Sequence, residues 1–107
     1  DWVWGKNRGN DDNDYLLDSV RGVTKFLTTN NTTAEGTSST LLTSFDSDGF
    51  SLGTSAGLNA SGVTAVGWCW KASGSTASNT DGSITSTVSA NQTAGFSIQE
   101  LEVLDMD

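Results

Sequence analysis

Four tryptophans stand in two i, i+2 pairs, Trp2/Trp4 and Trp68/Trp70. Residues two apart in an extended chain share a face, so each pair sets two indoles side by side. Flat aromatic faces of this kind stack on pyranose rings, and a sugar-binding platform is one use for them. Packing is the other: the same spacing makes same-face core residues of neighbouring strands. A chain short of Leu and Ile needs Trp volume inside, so core packing is the expected role. Trp68 and Trp70 are then buried against Phe or Trp of an opposing sheet, and Trp2 and Trp4 are the more exposed pair.

The carboxylates suggest less. Asp46-Ser47-Asp48-Gly49 opens like the D-x-D of a calcium loop. Such a loop needs more oxygen ligands and a bidentate Glu, whereas Phe50-Ser51-Leu52 returns straight to strand. A four-residue hairpin loop without a cation is expected. Asp11, Asp12 and Asp14 could gather around a cation with Asp18, but a solvated loop is the commoner fate of such a run. Glu35, Glu100 and Glu102 fall in loop or tail, without the paired spacing of a glycosidase. There is no His, which removes the commonest general base and every Ser-His or Cys-His nucleophile pair. Cys69 is the single cysteine, so an intrachain disulfide is impossible and a structural zinc site is not expected. It reads as a small buried hydrophobe. Asn30-Asn31-Thr32-Thr33, Asn59-Ala60-Ser61 and Asn91-Gln92-Thr93 match the glycosylation pattern, a chance match in so Ser/Thr-rich a chain. No catalytic, metal-ligating or cofactor-binding residue is expected, no cofactor is assigned, and ligand-binding residues stay unassigned.

These side chains sit in 107 residues of net charge -8, with 15 Ser, 15 Thr, 12 Gly and no Pro. The length suits one domain. Leu, Ile, Val and Phe number 22, just above the fifth below which chains tend to stay disordered, so the core should be thin. Five basic residues against thirteen acids give no electrostatic pull on nucleic acid or anionic membranes, and no apolar run is long enough to span a bilayer.

Short β segments between Gly, Asn, Asp and Ser clusters dominate the chain. They fall at Trp2–Trp4, Tyr15–Val20, Val23–Leu27, Leu41–Phe45, Phe50–Thr54, Val63–Lys71, Ile84–Ser89 and Ala94–Ile98. Thr28–Ser39 and Ser73–Asp81 read as polar connections. In Val63–Lys71, Val66, Trp68 and Trp70 share one face, and Val63, Ala65, Gly67 and Cys69 the other. Large against small marks a central strand that another layer approaches closely. The pattern predicts an all-β antiparallel sandwich with little or no helix, spanning 1–98. Residues 99–107 form an acidic tail, either a helical turn or two or a strand whose face flips at a bulge. Because Asp1-Trp2-Val3-Trp4 already reads as strand, the chain is expected to be a piece of a longer one.

Five ordered blocks resemble a domain of marine bacteriophages, cyanophages included, that recurs in large tail-fibre-type virion proteins. They are Asp1-Trp2-Val3-Trp4 with Lys6-Asn7-Arg8, Asp18 to Leu27, Leu42-Thr43-Ser44-Phe45 with Ser47-Asp48-Gly49-Phe50, Val66 to Ala72, and Asn79 to Ile84 leading to Ala94–Ile98. Gly5, where that family more often has a bulky aliphatic, and residues 99–107 depart from its pattern. The resemblance implies a concanavalin-like (jelly-roll) β-sandwich of the virion surface, extracellular, with no catalytic residues to carry over. The expected function is a non-enzymatic fibre, tail or capsid-surface module with a role in attachment to host glycans. A secreted bacterial carbohydrate-binding module is the alternative. Partners would be other virion subunits and copies of the chain itself, a homotrimer first. Trp2–Lys6 would find its partner strand in an adjacent subunit.

Overall fold

The computed structural model describes residues 1–102. Its strands are β1 (Trp2–Asn7), β2 (Asp14–Asp18), β3 (Lys25–Thr28), β4 (Gly36–Thr37), β5 (Leu42–Asp46), β6 (Gly49–Leu52), β7 (Ala65–Trp70), β8 (Ala77–Asn79), β9 (Ser86–Asn91) and β10 (Phe96–Leu101). One helical turn, α1 (Ala56–Asn59), lies between β6 and β7. The fold is all-β, antiparallel and sandwich-like, as the short β segments and turn chemistry predict.

The main sheet has the order β4-β3-β2-β1-β7. Burial in β1 alternates strictly: Val3, Gly5 and Asn7 are buried, Trp2, Trp4 and Lys6 half-buried. The sheet therefore has an inner face with Val3 opposite the fully buried Leu17, and an outer face carrying the tryptophans. Gly5 of β1 lies opposite Gly67 of β7 on the inner face. A methyl group at Gly5 would stand 2.9 Å from Leu58 Cδ2, and one at Gly67 3.2 Å from Phe50 Cζ. Two glycines thus let the β5–β6 hairpin and α1 settle close on the sheet, which is the close approach expected of the small face. Ser55 caps α1 by accepting the Gly57 N–H.

Two buried polar groups fasten loops to this frame. Asn7 Nδ2 donates to the Ala56 carbonyl and to Asp12 Oδ2, and its Oδ1 accepts from the N–H of Gly9 and Asn10. Asp18 accepts from the Arg21 N–H (2.8 Å) and Nε (2.5 Å), while the guanidinium reaches Glu35 (3.1 Å) and the Leu16 carbonyl (3.2 Å). A buried carboxylate is tolerable here because it is both paired and hydrogen-bonded.

β8, β9 and β10 make a second sheet, joined to the first where Asn91 Nδ2 donates to the Lys71 carbonyl and Ser89 Oγ to the Ser73 carbonyl.

Several local expectations are corrected. The Asp46–Gly49 loop is tighter than four residues: Asp46 pairs with Gly49, leaving Ser47 and Asp48 as the turn. Residues 36–37 and 77–79, read as polar connection, are short strands, and Ala56–Asn59 is helical. β10 runs on through Gln99–Leu101 in unbroken register with β9, so the strand enters the segment assigned to the tail without a bulge. The rest of that expectation, 103–107, lies outside the described residues. Strand β7 is an edge, not the centre, of its sheet. Trp2–Lys6 needs no neighbouring subunit, because β2 and β7 of the same chain already flank it.

Candidate functional site

The register of β1 against β7 sets Trp2 opposite Trp70 and Trp4 opposite Trp68. Each pair is a tilted stack, with centroids 4.3 Å apart at 40° for Trp2/Trp70 and 4.9 Å at 37° for Trp4/Trp68. Phe96, at the start of β10, stacks against Trp2 at 5.8 Å and Trp70 at 6.3 Å. Neighbour packing of the four indoles is therefore as expected from their spacing, but burial is not. Trp68 and Trp70 are 43 % and 40 % exposed, and the half-buried Trp2 and Trp4 are the better covered pair. The physical reason is sheet order. The β5–β6 hairpin and α1 spend their apolar side chains on the glycine face, while among the described residues Phe96 is the one ring from the second sheet stacked on the outer face. Trp2 and Trp4 have strands on both sides, whereas among the described residues Trp68 and Trp70 have β1 on one side and no strand on the other.

Polar groups rim this aromatic face. Trp4 Nε1 donates to Thr29 Oγ1 at 3.2 Å. Lys6 Nζ pairs with Asp14 at 3.4 Å and donates to the Asp12 carbonyl at 2.7 Å. Beside Trp2 and Trp4 lies a shallow concavity of about 490 Å³ that Leu16, Thr29 and Asn30 complete. Sequence reasoning missed Phe96, Thr29 and Asn30, because strands far apart in the chain bring them here. The one sequence signal for the outer face is indirect: the opposed small residues Gly5 and Gly67 show which side the second layer occupies.

The acidic residues do not converge. Asp14 and Asp18 sit at opposite ends of β2, the first paired with Lys6 and the second with Arg21. Asp12 is held by Asn7. Asp46 accepts from Ser51 Oγ and Ser44 Oγ, each at 2.7 Å, and these bonds, Ser51 first, hold its carboxyl below the ordinary aspartate value. Among the described residues no group of three or more acidic or cysteine side chains is arranged to hold a metal ion. Glu35 is engaged by Arg21, and Glu100 lies on β10. Cys69 is exposed rather than buried, because it lies on the open edge strand. Partial desolvation raises its thiol pKa, the opposite of an activated nucleophile. The amides of Asn30, Asn59 and Asn91 donate to Asn13 Oδ1, the Gly53 carbonyl and the Lys71 carbonyl.

A family model described as a domain of unknown function (DUF7483) matches residues 1–102. No curated protein and no solved structure matches the chain.

Proposed function

The chain belongs to the DUF7483 family, and from that premise we propose that it is a non-enzymatic module of a phage virion whose outer aromatic face attaches to uncharged glycans. The observation that carries the reading is the exposure of Trp68 and Trp70 beside Trp2, Trp4 and Phe96. A Trp offers up to about 250 Å² of surface, so leaving two-fifths of it in water forgoes roughly 2 kcal/mol per residue. A thin-cored domain gives up that stabilisation at two neighbouring positions on one face. A contiguous exposed apolar patch rimmed by polar groups is the signature of a contact surface.

The chemistry of the face selects the ligand class. Each indole gives one side to its cross-strand partner, so the sides of Trp68 and Trp70 turned from β1 are the ones open to a sugar ring. On the other side of β1, Thr29 and Asn30 line the concavity beside Trp2 and Trp4, where a hydroxyl and an amide are available to sugar hydroxyls. A net charge of -8 disfavours uronate- or sulfate-bearing polymers. The resemblance to tail-fibre-type virion proteins supports the location on the particle, and the dispersed, engaged carboxylates support a binding rather than a hydrolytic role.

Affinity electrophoresis through gels containing neutral or acidic polysaccharides tests the proposal. Retardation by at least one neutral polymer is expected, lost in both Trp68→Ala and Trp70→Ala. Retardation by acidic polymers alone, by none, or equally for both variants overturns it.

A further inference from the structure

The backbone hydrogen-bond phase of the main sheet shows which groups of β7 are unused. Ser19 N–H donates to the Asp1 carbonyl and Arg8 N–H to the Thr64 carbonyl, both at 2.8 Å. Bonded pairs alternate along an antiparallel ladder, so odd-numbered residues of β1 bond β2 and even-numbered ones bond β7. Val66, Trp68 and Trp70 therefore spend their N–H and C=O on Lys6, Trp4 and Trp2. Ala65, Gly67 and Cys69 turn theirs to the edge, which no strand covers among the described residues. The next outward carbonyl, Lys71, is already taken by Asn91 Nδ2.

This edge lacks the usual protection. From Ala65 to Trp70 it carries no charge, no Pro and no break in its register with β1. The other edges of the molecule are blunter. β4 has two residues and β8 three, β5 ends in Asp46, and β10 carries Glu100. β6 is uncharged but four residues long. Gly67 has no side chain, so its exposure is exposure of backbone.

We propose that the β7 edge pairs antiparallel with the β7 edge of a second copy of this chain, about a twofold axis at Gly67. In that register Ala65 faces Cys69 of the second copy, Gly67 faces Gly67, and every free group from 65 to 69 is used with none left over. Centring the axis one residue later would require the Lys71 carbonyl, which is occupied. On the outer face Trp68 meets Val66 of the second copy in a close non-hydrogen-bonded pair, an aromatic/β-branched match that favours strand pairing. The strand's own inner-face side chains at the seam are Gly, Ala and Cys, all small, with Phe50 of β6 lying over Gly67.

The second copy, rather than a cationic partner, follows from charge. The seam is uncharged on a molecule of net charge -8, so it needs no counter-charge, while the rest of the two surfaces repel. Salt screens that repulsion and strengthens the pair, where it would weaken binding to a basic partner. A single six-residue strand seam falls below the roughly 1,200 Å² of a standard interface, so a weak, concentration-dependent dimer is expected. The pairing does not rest on the glycan reading, and it competes with a sugar for the side of Trp68 turned from β1.

Analytical ultracentrifugation across micromolar to millimolar chain, at low and high salt, gives the first readout. A reversible dimer that salt strengthens is expected. A monomer throughout, a trimer, or a dimer weakened by salt overturns the proposal. Disulfide trapping gives the second. The Cα atoms of a hydrogen-bonded pair lie about 5.5 Å apart, within disulfide reach. Mild oxidation should therefore lock Ala65→Cys to the native Cys69 of a second copy. The native chain and Ala65→Cys/Cys69→Ser should stay unlinked. Equal cross-linking of all three, or trapping through Gly67→Cys with Cys69 but not through Ala65→Cys, contradicts the register.

Discussion

Truncating Trp70 to Ala separates a surface stack from a core side chain. Removing a fully buried Trp costs about 3–5 kcal/mol. Trp70 is 40 % exposed, so roughly three-fifths of that cost, about 2–3 kcal/mol, is expected from lost contacts with Trp2 and Phe96. Trp68 is 43 % exposed and, among the described residues, stacks on Trp4 alone, so its truncation should cost about 2 kcal/mol. Part of the Trp70 cost belongs to the Trp2/Trp70 stack itself. The double-mutant cycle of Trp2→Ala and Trp70→Ala should return a coupling of roughly 0.5–1.5 kcal/mol. Urea unfolding followed by far-ultraviolet circular dichroism is the assay, with Leu17→Ala as the core reference because Leu17 is 0 % exposed. Trp70→Ala costing under about 0.5 kcal/mol, or zero coupling to Trp2, would refute the stack. A cost of about 4 kcal/mol or more would mean Trp70 is core after all.

Other consequences are local. Asp18→Ala leaves the guanidinium of Arg21, itself only 11 % exposed, without its main partner, and should cost roughly 3–5 kcal/mol by the same unfolding assay. A methyl at Gly53 would meet the Thr40 carbonyl oxygen at 2.2 Å, backbone that cannot rotate away, so Gly53→Ala should cost about 1–3 kcal/mol, while Gly74→Ala, with open space around it, should be silent. The Asp46 carboxyl should titrate below the usual aspartate range by carbon-detected NMR and move up in Ser51→Ala. With its folded value lowered, any stabilisation it brings is present above the ordinary value and lost as pH falls through the lowered one.

Much of the fold was legible because it is local. Short apolar runs such as Trp2-Val3-Trp4 and Tyr15-Leu16-Leu17, and turn residues such as Arg21-Gly22 and Ser47-Asp48, mark strands and their ends without knowledge of their partners. The contrast of Ala65, Gly67 and Cys69 with Val66, Trp68 and Trp70 showed which face a second layer approaches. Strand order was not legible, since nothing within Val63–Lys71 says whether a strand lies on one side or both. That gap reversed the burial of Trp68 and Trp70. β4 and β8 escaped notice because pairing, not sequence pattern, holds such short strands. The α1 turn depends on the Ser55 cap and on Leu58 fitting against Gly5, both invisible to periodicity. In the candidate site the four tryptophans could be named in advance, whereas Phe96, Thr29 and Asn30 arrive through contacts between distant segments.

We propose the outer aromatic face, with Trp68 and Trp70 foremost, as a contact surface for neutral glycans. Its most direct test follows the four indole N–H resonances in nitrogen-15 NMR while a neutral oligosaccharide retained in the gels is titrated in. Saturable shifts of the Trp68 and Trp70 resonances are expected, with the same pattern in Leu17→Ala while it stays folded. Shifts confined to backbone amides of the β8–β10 sheet, or binding with all four indoles unmoved, would contradict it.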